Sequence, residues 1–439
     1  MNETIVTKFG GSSLASSEQF QKVKNIIESN KNRKYVVPSA PGRRNSKDYK
    51  ITDLLYLCNA HVNSGIAFDD VFKLIEDRYK GIVKDLKLDF DISTPLNKVK
   101  ENIANGASSD YAASRGEYLN GLILANYLGY EFIDAAEVII FDEGGNFNHE
   151  LTKKAIAARL KDTERAVIPG FYGADTTGEI VTFSRGGSDV TGSLVASGVN
   201  AKLYENWTDV SGFLMADPRI VNNPKTIKEI TYKELRELSY MGASVLHEEA
   251  IFPVKEANIP IRIKNTNRPL DEGTLIVSDV HDLSTLGTIT GIAGKKNFSV
   301  IAIEKALMNS ELGFCRKILS ILEMYGVSFE NMPSGIDTVS LVIEDSQLKG
   351  KGEKIVEEIK KQCNPDFIEI HPHMAVIATV GKGMASAPGI AAKLFNALYK
   401  EDINIKMIDQ GSSEMNILVG IDTDDFEKAV NLIYNAFNN

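Results

Sequence analysis

The first third of the chain alternates short apolar runs with amphipathic stretches. Ile5–Phe9 is predicted as a strand, Ser17–Glu28 as a helix and residues 34–37 as a second strand. A strand, a turn, a helix and a strand in this order indicate a βαβ unit with a parallel sheet. The polar and basic segment 43–50 that follows is predicted as a flexible loop.

Apolar strands recur further along the chain. They are predicted at residues 166–168, 180–183 and 259–263, with helical stretches between them. Such a pattern is typical of a mainly parallel sheet with helices on both faces. We therefore predict an α/β fold over residues 1–285, with a domain boundary in the aperiodic polar stretch 279–286.

Beyond this boundary the sequence repeats itself at an offset of 76 residues. The matched positions are Gly313 with Gly389, Val327 with Ile403, Phe329 with Ile405, Gly335 with Gly411, and Leu341 with Ile417. The shared order is a strand, a glycine-containing loop, a helix, two strands and a helix. This order predicts two small ferredoxin-like βαββαβ modules, at residues 286–370 and 371–439.

Composition narrows the class of protein. A length of 439 residues suggests about three domains at roughly 150 residues each, and a net charge of −10 argues against a nucleic-acid binder. We find no apolar run long enough to span a bilayer and no signal-peptide core before the first strand. The three cysteines are far apart, and we read the pair His371 and His373 as a turn, so we predict neither a disulfide framework nor a zinc site. These features favour a cytoplasmic protein without a membrane partner.

Two glycine-containing turns are candidates for binding anions. The first, residues 8–13, lies between a predicted strand and a helix, where glycines permit close backbone approach and Lys8 adds a positive charge. The alternative is an ordinary strand-to-helix turn with a solvated lysine, and no P-loop motif occurs in the chain. The second, residues 183–189, precedes a helix predicted at 190–197 and contains Arg185. Its alternative is a simple helix N-cap at Ser188 or Asp189.

A third cluster is rich in turn-forming residues. It comprises residues 207–212 and 217–219, after a strand predicted at 201–204. This composition is typical of ordinary loops. A position at the carboxyl edge of a parallel sheet would also permit contact with a nucleotide.

Taken in order, these motifs resemble one known family. The motifs KFGGSS at 8–13, SRGE at 114–117, RGGSD at 185–189, and WTDV at 207–210 followed by DPR at 217–219 resemble the aspartate kinase branch of the amino-acid kinase family. That branch also ends in two ACT modules similar to the repeat, so the resemblance covers essentially the whole chain.

The resemblance implies transfer of phosphate from ATP, with Mg²⁺, to the side-chain carboxylate of L-aspartate. Because that carboxylate is ionised at pH 7, no general base is needed. The catalytic residues would be Lys8, which stabilises charge on the transferring group, and Asp189, which positions Lys8. Arg185 would hold the substrate α-carboxylate in a bidentate pair, and Glu117 would hold its ammonium group.

The resemblance also assigns the remaining site residues. Positions that line the substrate site are Ser39, Thr52, Gly186, Gly187 and Ser188. Positions on the nucleotide side are Lys8, Phe9, Gly10, Gly11, Thr208, Asp209, Asp217 and Arg219. Two positions depart from the family pattern, Leu214 where tyrosine is frequent and Ser244 where lysine is frequent, so the way in which ATP is held is left open.

An amino-acid effector is implied for the first ACT-like module. We expect lysine as the main effector, assisted by threonine, and a homodimer or a dimer of dimers through the modules. The residues expected at the effector site are Met308, Ser310, Phe314, Cys315, Ser328, Phe329 and Glu330. The alternative for Glu330 is a solvated charge at a strand end.

Three other functions can be compared with this expectation. One is another carboxylate kinase of the same fold, such as an acetylglutamate kinase, although those usually lack the double module. Another is a catalytically inactive amino-acid sensor, against which the intact Lys8, Arg185 and Asp189 argue. A fusion with homoserine dehydrogenase is not expected, because the chain stops after the second repeat.

Overall fold

The computed structural model describes residues 3–184, 186–243, 246, 248–279 and 288–438. The chain divides into two compact units. The first contains Met1–Phe213, Thr226–Tyr232 and Val245–Val280, and the second contains Leu214–Lys225, Lys233–Ser244 and His281–Asn439. The boundary predicted at 279–286 falls almost entirely outside the described residues, and the three domain limits given above stay a prediction.

The first unit is built on a mainly parallel sheet, as predicted. Its strands are β1 (Ile5–Phe9), β2 (Arg33–Pro38), β3 (Glu131–Phe132), β4 (Ala166–Val167), β5 (Tyr172–Ala174), β6 (Ile180–Thr182), β7 (Leu203–Thr208), β8 (Glu229–Thr231), β9 (Ile261–Asn265) and β10 (Thr274–Val277). Eight of them form one sheet in the order β3-β4-β2-β1-β7-β9-β10-β8. Every neighbouring pair is parallel except β9 with β10.

Three predicted strands differ from the structure. The strand predicted at 259–263 lies two residues later, at Ile261–Asn265. The run at 180–183 is not part of the main sheet, because β6 pairs only with β5 in a separate antiparallel hairpin. The strand predicted at 201–204 in fact continues to Thr208. Trp207 lies in this strand because its ring is buried and stacks on Phe9, with ring centroids 6.0 Å apart.

Helices cover the sheet. They are α1 (Ser17–Glu28), α2 (Ile51–Asn63), α3 (Asp69–Asp85), α4 (Ser93–Ala104), α5 (Ser109–Leu128), α6 (His149–Leu160), α7 (Gly187–Gly198) and α9 (Glu248–Glu256). Helix α8 (Tyr232–Tyr240) belongs to the second unit from its second residue onward. Helix α1 has the predicted bounds, and Ser16 caps it by accepting a hydrogen bond from Gln19 N at 3.4 Å. Helix α7 begins three residues before its predicted start, at Gly187.

The basic segment 43–50 lies outside helices and strands, as predicted. Asp48 anchors it through ion pairs with Arg44 Nε at 2.9 Å and with Arg78 of α3 at 2.5 Å. The hydrogen bond from Arg44 is the largest cause that lowers the pKa of Asp48. These contacts tie the segment to the body of the unit.

The second unit contains one antiparallel sheet of five strands. The strands are β11 (Gly291–Glu304), β12 (Thr338–Glu344), β13 (Phe367–Val380), β14 (Ile405–Asp409) and β15 (Asn416–Asp422), in the order β12-β11-β13-β15-β14. The helices are α10 (Phe314–Met324), α11 (Asp345–Leu348), α12 (Gly352–Cys363), α13 (Ile390–Tyr399) and α14 (Phe426–Asn438).

The predicted repeat is present in this unit, although the described residues of the first copy have only isolated bridges, at Asn331 and Ser334, where one of its two predicted strands was expected. Gly313 and Gly389 occupy equivalent positions before α10 and α13, with left-handed φ values of 80° and 86° that favour glycine. The two long strands β11 and β13 pair along their length and join both repeats into one sheet. His371 and His373 lie within β13, so the turn predicted for them is wrong.

Within the described residues, we find no helix that is long and apolar enough to cross a membrane. That part of the chain also contains no group of three or more histidine, cysteine, aspartate or glutamate residues arranged to hold a metal ion.

Candidate active site

The centre of the candidate site is an ion pair between the first strand and a later helix. Lys8 projects from β1, and its Nζ lies 2.7 Å from Oδ1 of Asp189 in the first turn of α7. Asn206 of β7 donates a hydrogen bond of 2.7 Å from its Nδ2 to the same carboxylate oxygen. Lys8 and Asn206 are partners in the parallel register of β1 and β7, so the sheet itself brings them to one carboxylate.

The first glycine turn is held by close backbone contacts. Gly10 N donates to Trp207 O at 2.9 Å, and Gly42 N donates to Gly11 O at 2.8 Å. A Cβ added at Gly11 would lie 2.8 Å from Ala40 O, so only glycine permits this approach. A short 3-10 helix follows at Gly11–Leu14, and the first N–H groups of a helix have no acceptor within it.

The second glycine turn opens α7. Gly186 takes the left-handed conformation, with φ 58°, and no side chain caps the helix. Gly187 and Ser188 are buried beside Phe171 and Gly170, and a Cβ at Gly187 would lie 2.6 Å from the Phe171 ring. The first N–H groups of a helix have no acceptor within it, which favours an anion at such a helix start. Arg185 lies outside the described residues.

Glu117 is a buried carboxylate on α5. One of its oxygens, Oε2, has no hydrogen-bond partner among the described residues. Burial raises the pKa of Glu117 to about 8, while a hydrogen bond from the Ala40 backbone and the charges of Arg115 and Lys8 act in the opposite direction. A buried acceptor without a donor costs free energy, so a ligand that supplies a donor would be favoured here.

The turn after β2 lies against α5. Ser39 N donates to Phe9 O at 3.0 Å, and Ser39 O accepts a hydrogen bond of 2.6 Å from Asn120 Nδ2. Thr52 is half-buried in the first turn of α2. The start of α2 is close to α5, because a Cβ at Gly116 would lie 3.5 Å from the Ile51 side chain. Ser39 therefore lies in the turn that packs against α5, the helix of Glu117. Thr52 lies at the start of α2, which also packs against α5.

The proposed nucleotide residues Thr208 and Asp209 follow each other at the carboxyl end of β7. Thr208 is half-buried and Asp209 is exposed. Asn265, at the end of β9, donates to Asp209 O at 3.1 Å, and Thr266 N donates to Thr208 O at 2.9 Å. These carboxyl ends lie at the same edge of the sheet as Lys8, as expected for a parallel α/β sheet.

Asp217 and Arg219 belong to the second compact unit. They form an ion pair with each other, with Arg219 Nε 3.0 Å from Asp217 Oδ1. Leu214 belongs to the same unit and is exposed. Ser244 lies outside the described residues. The structure therefore groups six of the eight proposed nucleotide residues in the first unit.

The loop expected to bind the effector precedes α10. Met308 and Phe314 are buried in the core of this repeat, Cys315 is half-buried, and Ser310 is exposed. Within this loop Glu311 pairs with Lys305 at 2.7 Å and with Lys317 at 2.8 Å. The loop is thus fixed by charge pairs while Ser310 remains accessible.

The facing segment contains the other expected effector residues. Ser328 and Phe329 are exposed, and Glu330 N donates to Val342 O at 2.8 Å. Tyr240, at the end of α8 and in the same unit, hydrogen-bonds to the Glu330 carboxylate, which is the largest cause raising the pKa of Tyr240 to about 12. Glu330 is therefore half-buried and hydrogen-bonded to Tyr240, so its carboxylate is not freely solvated.

The charged groups and backbone donors of the candidate site are better suited to binding two anionic ligands than a cluster of metal ions. Lys8 and the N-terminus of α7 offer positive charge or backbone donors, while Glu117 offers one buried carboxyl group. A magnesium ion usually keeps several waters and binds through substrate phosphates with one or two carboxylates. Asp189 and Asp209 are carboxylates at this edge of the sheet, which is compatible with that mode.

Two buried asparagines at the site were missed by sequence reasoning. Asn206 contacts Asp189, and Asn120 contacts Ser39. The alignment of Lys8 with Asn206 could have been inferred only from the pairing of β1 with β7. Asn120 stands three residues after Glu117 on one helix face, which is a signal that the helical periodicity already contained.

Comparison with known proteins gives matches along almost the whole chain. The profile of the amino acid kinase family matches residues 3–265. The profile of an ACT domain matches residues 377–437, within the second repeat.

Three individual proteins are similar over nearly their full length. Aspartokinase 3 of Bacillus subtilis is 38% identical over 447 residues, covering 98% of each chain. The crystal structure of Clostridium acetobutylicum aspartate kinase is 72% identical, with a TM-score of 0.93, and covers 99% of this chain and 100% of that chain. Lysine-sensitive aspartokinase 3 of Escherichia coli is 25% identical over 459 residues, covering 99% of each chain.

Proposed function

Because this chain belongs to the aspartokinases of the amino acid kinase family, we propose that it transfers the γ-phosphoryl group of ATP to the side-chain carboxylate of L-aspartate. The products are ADP and 4-phospho-L-aspartate, at the first step of lysine, threonine and methionine biosynthesis. The observation that carries this proposal is the ion pair between Lys8 and Asp189. It connects strand β1, which is followed by the first glycine turn, to helix α7, which begins at the second glycine turn.

Catalysis here requires charge stabilisation rather than proton transfer. The attacking carboxylate is already ionised, and the main obstacle is the approach of two anions. Lys8 stabilises the charge on the transferring phosphoryl group, and the turn formed by Phe9, Gly10 and Gly11 cradles the phosphates. Asp189 holds the Lys8 ammonium group in place, and Asn206 fixes that carboxylate in turn.

The aspartate substrate is held at its two backbone ends. Glu117 binds the ammonium group, which is supported by the buried and unpartnered Oε2. Arg185 binds the α-carboxylate as a bidentate pair. Ser39, Thr52 and the residues Gly186, Gly187 and Ser188 line the rest of this subsite. The half-buried Ser39 and Thr52 and the buried Ser188 suit such a lining.

ATP occupies the carboxyl edge of the sheet near Thr208 and Asp209. The nucleotide role of Asp217 and Arg219, which belong to the second unit, stays an expectation from the resemblance. Magnesium enters with the nucleotide and neutralises charge on its phosphates. Asp189 and Asp209 are the carboxylates of this chain that would face the ion.

Lysine is the proposed feedback inhibitor. This proposal rests on the second unit, in which the second copy of the repeat matches an ACT domain, and on the similar E. coli enzyme, which is named lysine-sensitive. The effector would bind between the loop containing Met308 and Ser310 and the segment containing Ser328 and Phe329. Glu330 would pair with the ε-ammonium group of lysine.

The enzyme is proposed to act as a homodimer or a dimer of dimers. Large apolar side chains are exposed around the effector loop, with Leu312 at 98%, Leu307 at 72% and Ile336 at 71%. Such a patch is unusual on a surface that faces only water. A second copy that covers it would place the effector site at a subunit interface. A cytoplasmic location remains a prediction.

The test of the reaction is an ADP-release assay with ATP and Mg²⁺. Aspartate, glutamate and N-acetylglutamate are compared with a reaction that lacks acceptor, and Lys8→Met serves as the inactive control. Aspartate-dependent ADP release with formation of an acid-labile acyl phosphate supports the proposal. Preference for N-acetylglutamate would indicate another carboxylate kinase, and no release with any acceptor would indicate an inactive sensor.

A further inference from the structure

One arginine of α3 holds both ends of the segment that follows β2. Arg78 donates from Nη1 to Gly42 O at 3.0 Å and from Nη2 to Asp48 Oδ2 at 2.5 Å. The side chains of Arg78 and Asp48 are only 5% and 10% exposed. A single buried guanidinium group therefore closes residues 42–48 into a loop and fixes the position of Gly42 at its start.

Gly42 is in close contact with the first glycine turn. Its N–H donates to Gly11 O at 2.8 Å. A Cβ added at Gly42 would lie 2.7 Å from the carbonyl carbon of Gly11 and 2.9 Å from Ser12 N, so the two backbone segments touch with no room for a side chain between them. Gly42 thus connects Arg78, which contacts its carbonyl oxygen, to Gly11, which accepts from its N–H.

The burial of Arg78 is not needed to close the loop. Asp48 already pairs with Arg44 of the same segment, whose Nε lies 2.9 Å from its carboxylate. Arg78 Nε is buried without a hydrogen-bond partner among the described residues, and such a buried donor costs free energy. What Arg78 adds is the hydrogen bond to Gly42 O, which holds the start of the segment against Gly11.

We propose that Arg78 is a positioning residue for the phosphate-binding turn: through Gly42, it holds Gly11 at the place that the phosphates of ATP require. This inference rests on the proposed function, since it takes the first glycine turn as the cradle of the phosphates. It gives a role in catalysis to α3, a helix that contributes no residue to the proposed substrate or nucleotide sites. Without Arg78, Gly42 loses its hydrogen bond from the helix, and the turn that it supports is free to move.

The first experiment separates the two contacts of Arg78. Arg78→Met removes both and should lower kcat/KM for ATP by about 10-fold or more, since small misplacements are costly to catalysis. Asp48→Asn removes only the ion pair, so it should lower the unfolding temperature and leave kcat/KM within about twofold, because Gly42 keeps its donor. The matched control is Lys73→Met, which breaks an exposed ion pair with Asp77 on the same helix and should change neither property.

The second experiment is a double-mutant cycle with Gly11→Ala, which displaces the turn directly. If Arg78 acts through this turn, Arg78→Met has little further effect in the Gly11→Ala background, and the double variant is about as active as the less active single variant. If the two losses of kcat/KM multiply, the residues act independently, and the proposal is overturned. It is also overturned if Asp48→Asn loses as much kcat/KM per folded enzyme as Arg78→Met, since Arg78 would then only anchor the loop.

A milder variant covers the case in which Arg78→Met does not fold. Arg78→Gln keeps a polar group at the buried position but is too short to reach both Gly42 and Asp48, so it should show the same loss of kcat/KM and the same non-additivity with Gly11→Ala. Wild-type ATP kinetics in Arg78→Gln would contradict the inference. Failure of the proposed function has a different signature, because the wild type would then release no ADP with aspartate, whereas calorimetry of Mg-ADP binding would still compare Arg78→Gln with Lys73→Met.

Discussion

Lys8 and Asp189 form a largely buried ion pair that joins the first strand of the sheet to the first turn of α7. The two charged atoms are 2.7 Å apart, and the side chains are only 9% and 18% exposed. A buried charge is costly unless it is paired, so each residue holds the other in place. The pair therefore fixes one positive charge between the two glycine turns.

Replacing Lys8 by methionine should lower kcat by about 10²- to 10³-fold, as the loss of one preorganised charge-stabilising donor does in other enzymes. Asp189→Asn should also lower kcat, because the Lys8 ammonium loses its anchor. Steady-state kinetics with saturating ATP and aspartate measure this effect. Lys202→Met is the control, since Lys202 forms an exposed pair with Glu3, and its kcat should match that of the wild type. Near-normal turnover in Lys8→Met would refute the catalytic role.

The buried Glu117 predicts a pH dependence of aspartate binding. Burial raises the pKa of Glu117 to about 8, so the carboxyl group of the free enzyme is increasingly protonated below that pH. Only the ionised form attracts the substrate ammonium. The kcat/KM for aspartate should therefore rise by up to tenfold per pH unit below about 8 and level off above it, because this parameter reports the free enzyme.

Glu117→Gln should remove that limb of the profile and raise the KM for aspartate much more than the KM for ATP. Glu101→Gln, at an exposed position of α4, should keep the wild-type profile. An equal rise of both KM values in Glu117→Gln would indicate a structural role instead.

Local signals in the sequence were enough to predict part of the fold. The bounds of β1 and α1 agree with the prediction because each has a clear apolar pattern, and Ser16 supplies a cap before α1. The repeat was detectable because Gly313 and Gly389 must adopt the left-handed conformation at equivalent helix starts. Features of this kind depend on a few residues that are adjacent in the sequence.

Long-range constraints were not visible in the same way. The local sequence places Trp207 and Thr208 in a turn-rich cluster, but burial of the Trp207 ring against Phe9 extends β7 through them. The roles of Asn120 and Asn206 depend on partners far away in sequence, Ser39 and Asp189. A pattern of single residues does not specify such pairings, so these contacts required the structure.

The contact between Gly11 and Gly42 gives a test of the first glycine turn. A Cβ at residue 11 would lie 2.8 Å from Ala40 O and 3.1 Å from Gly42 N, both backbone atoms. Gly11→Ala should therefore displace this turn and reduce kcat/KM for ATP by about 10-fold or more, since misplacement of about 1 Å is costly to catalysis. Kinetics with varied ATP measure the effect.

Gly81→Ala is the matched substitution. Gly81 lies in α3 and has nothing within 4 Å of an added Cβ. Its replacement should leave activity unchanged and stabilise the protein by about 0.5–1 kcal/mol, because alanine favours the helix. Wild-type ATP kinetics in Gly11→Ala would show that the close approach has no role in nucleotide binding.

The exposed apolar patch of the second unit predicts an assembly. Leu312 is 98% exposed beside the effector loop, so a charge at this position should disrupt a partner that covers it. Light scattering at micromolar concentration should give at least a dimer for the wild type and a smaller species for Leu312→Glu. Leu270→Glu, at a 96% exposed position of the first unit, is the control. A monomeric wild type would contradict the proposed assembly.

The last prediction concerns the effector. If lysine binds with its ε-ammonium against Glu330, it inhibits by favouring one global state over the other, and a coupling of about 1–3 kcal/mol is enough for a clear loss of activity. Glu330→Ala should raise the inhibition constant for lysine about 10-fold or more, because the ammonium group loses its only proposed anion. Tyr240→Phe should have a smaller effect, since it removes one hydrogen bond from a neutral donor to Glu330 and leaves the carboxylate charge in place. Titrations of lysine, threonine and methionine against both variants and against Glu323→Ala, an exposed carboxylate of α10, measure these constants. Absence of lysine inhibition in the wild type would refute the effector assignment, whereas equal inhibition of the wild type and Glu330→Ala would show that lysine binds without Glu330.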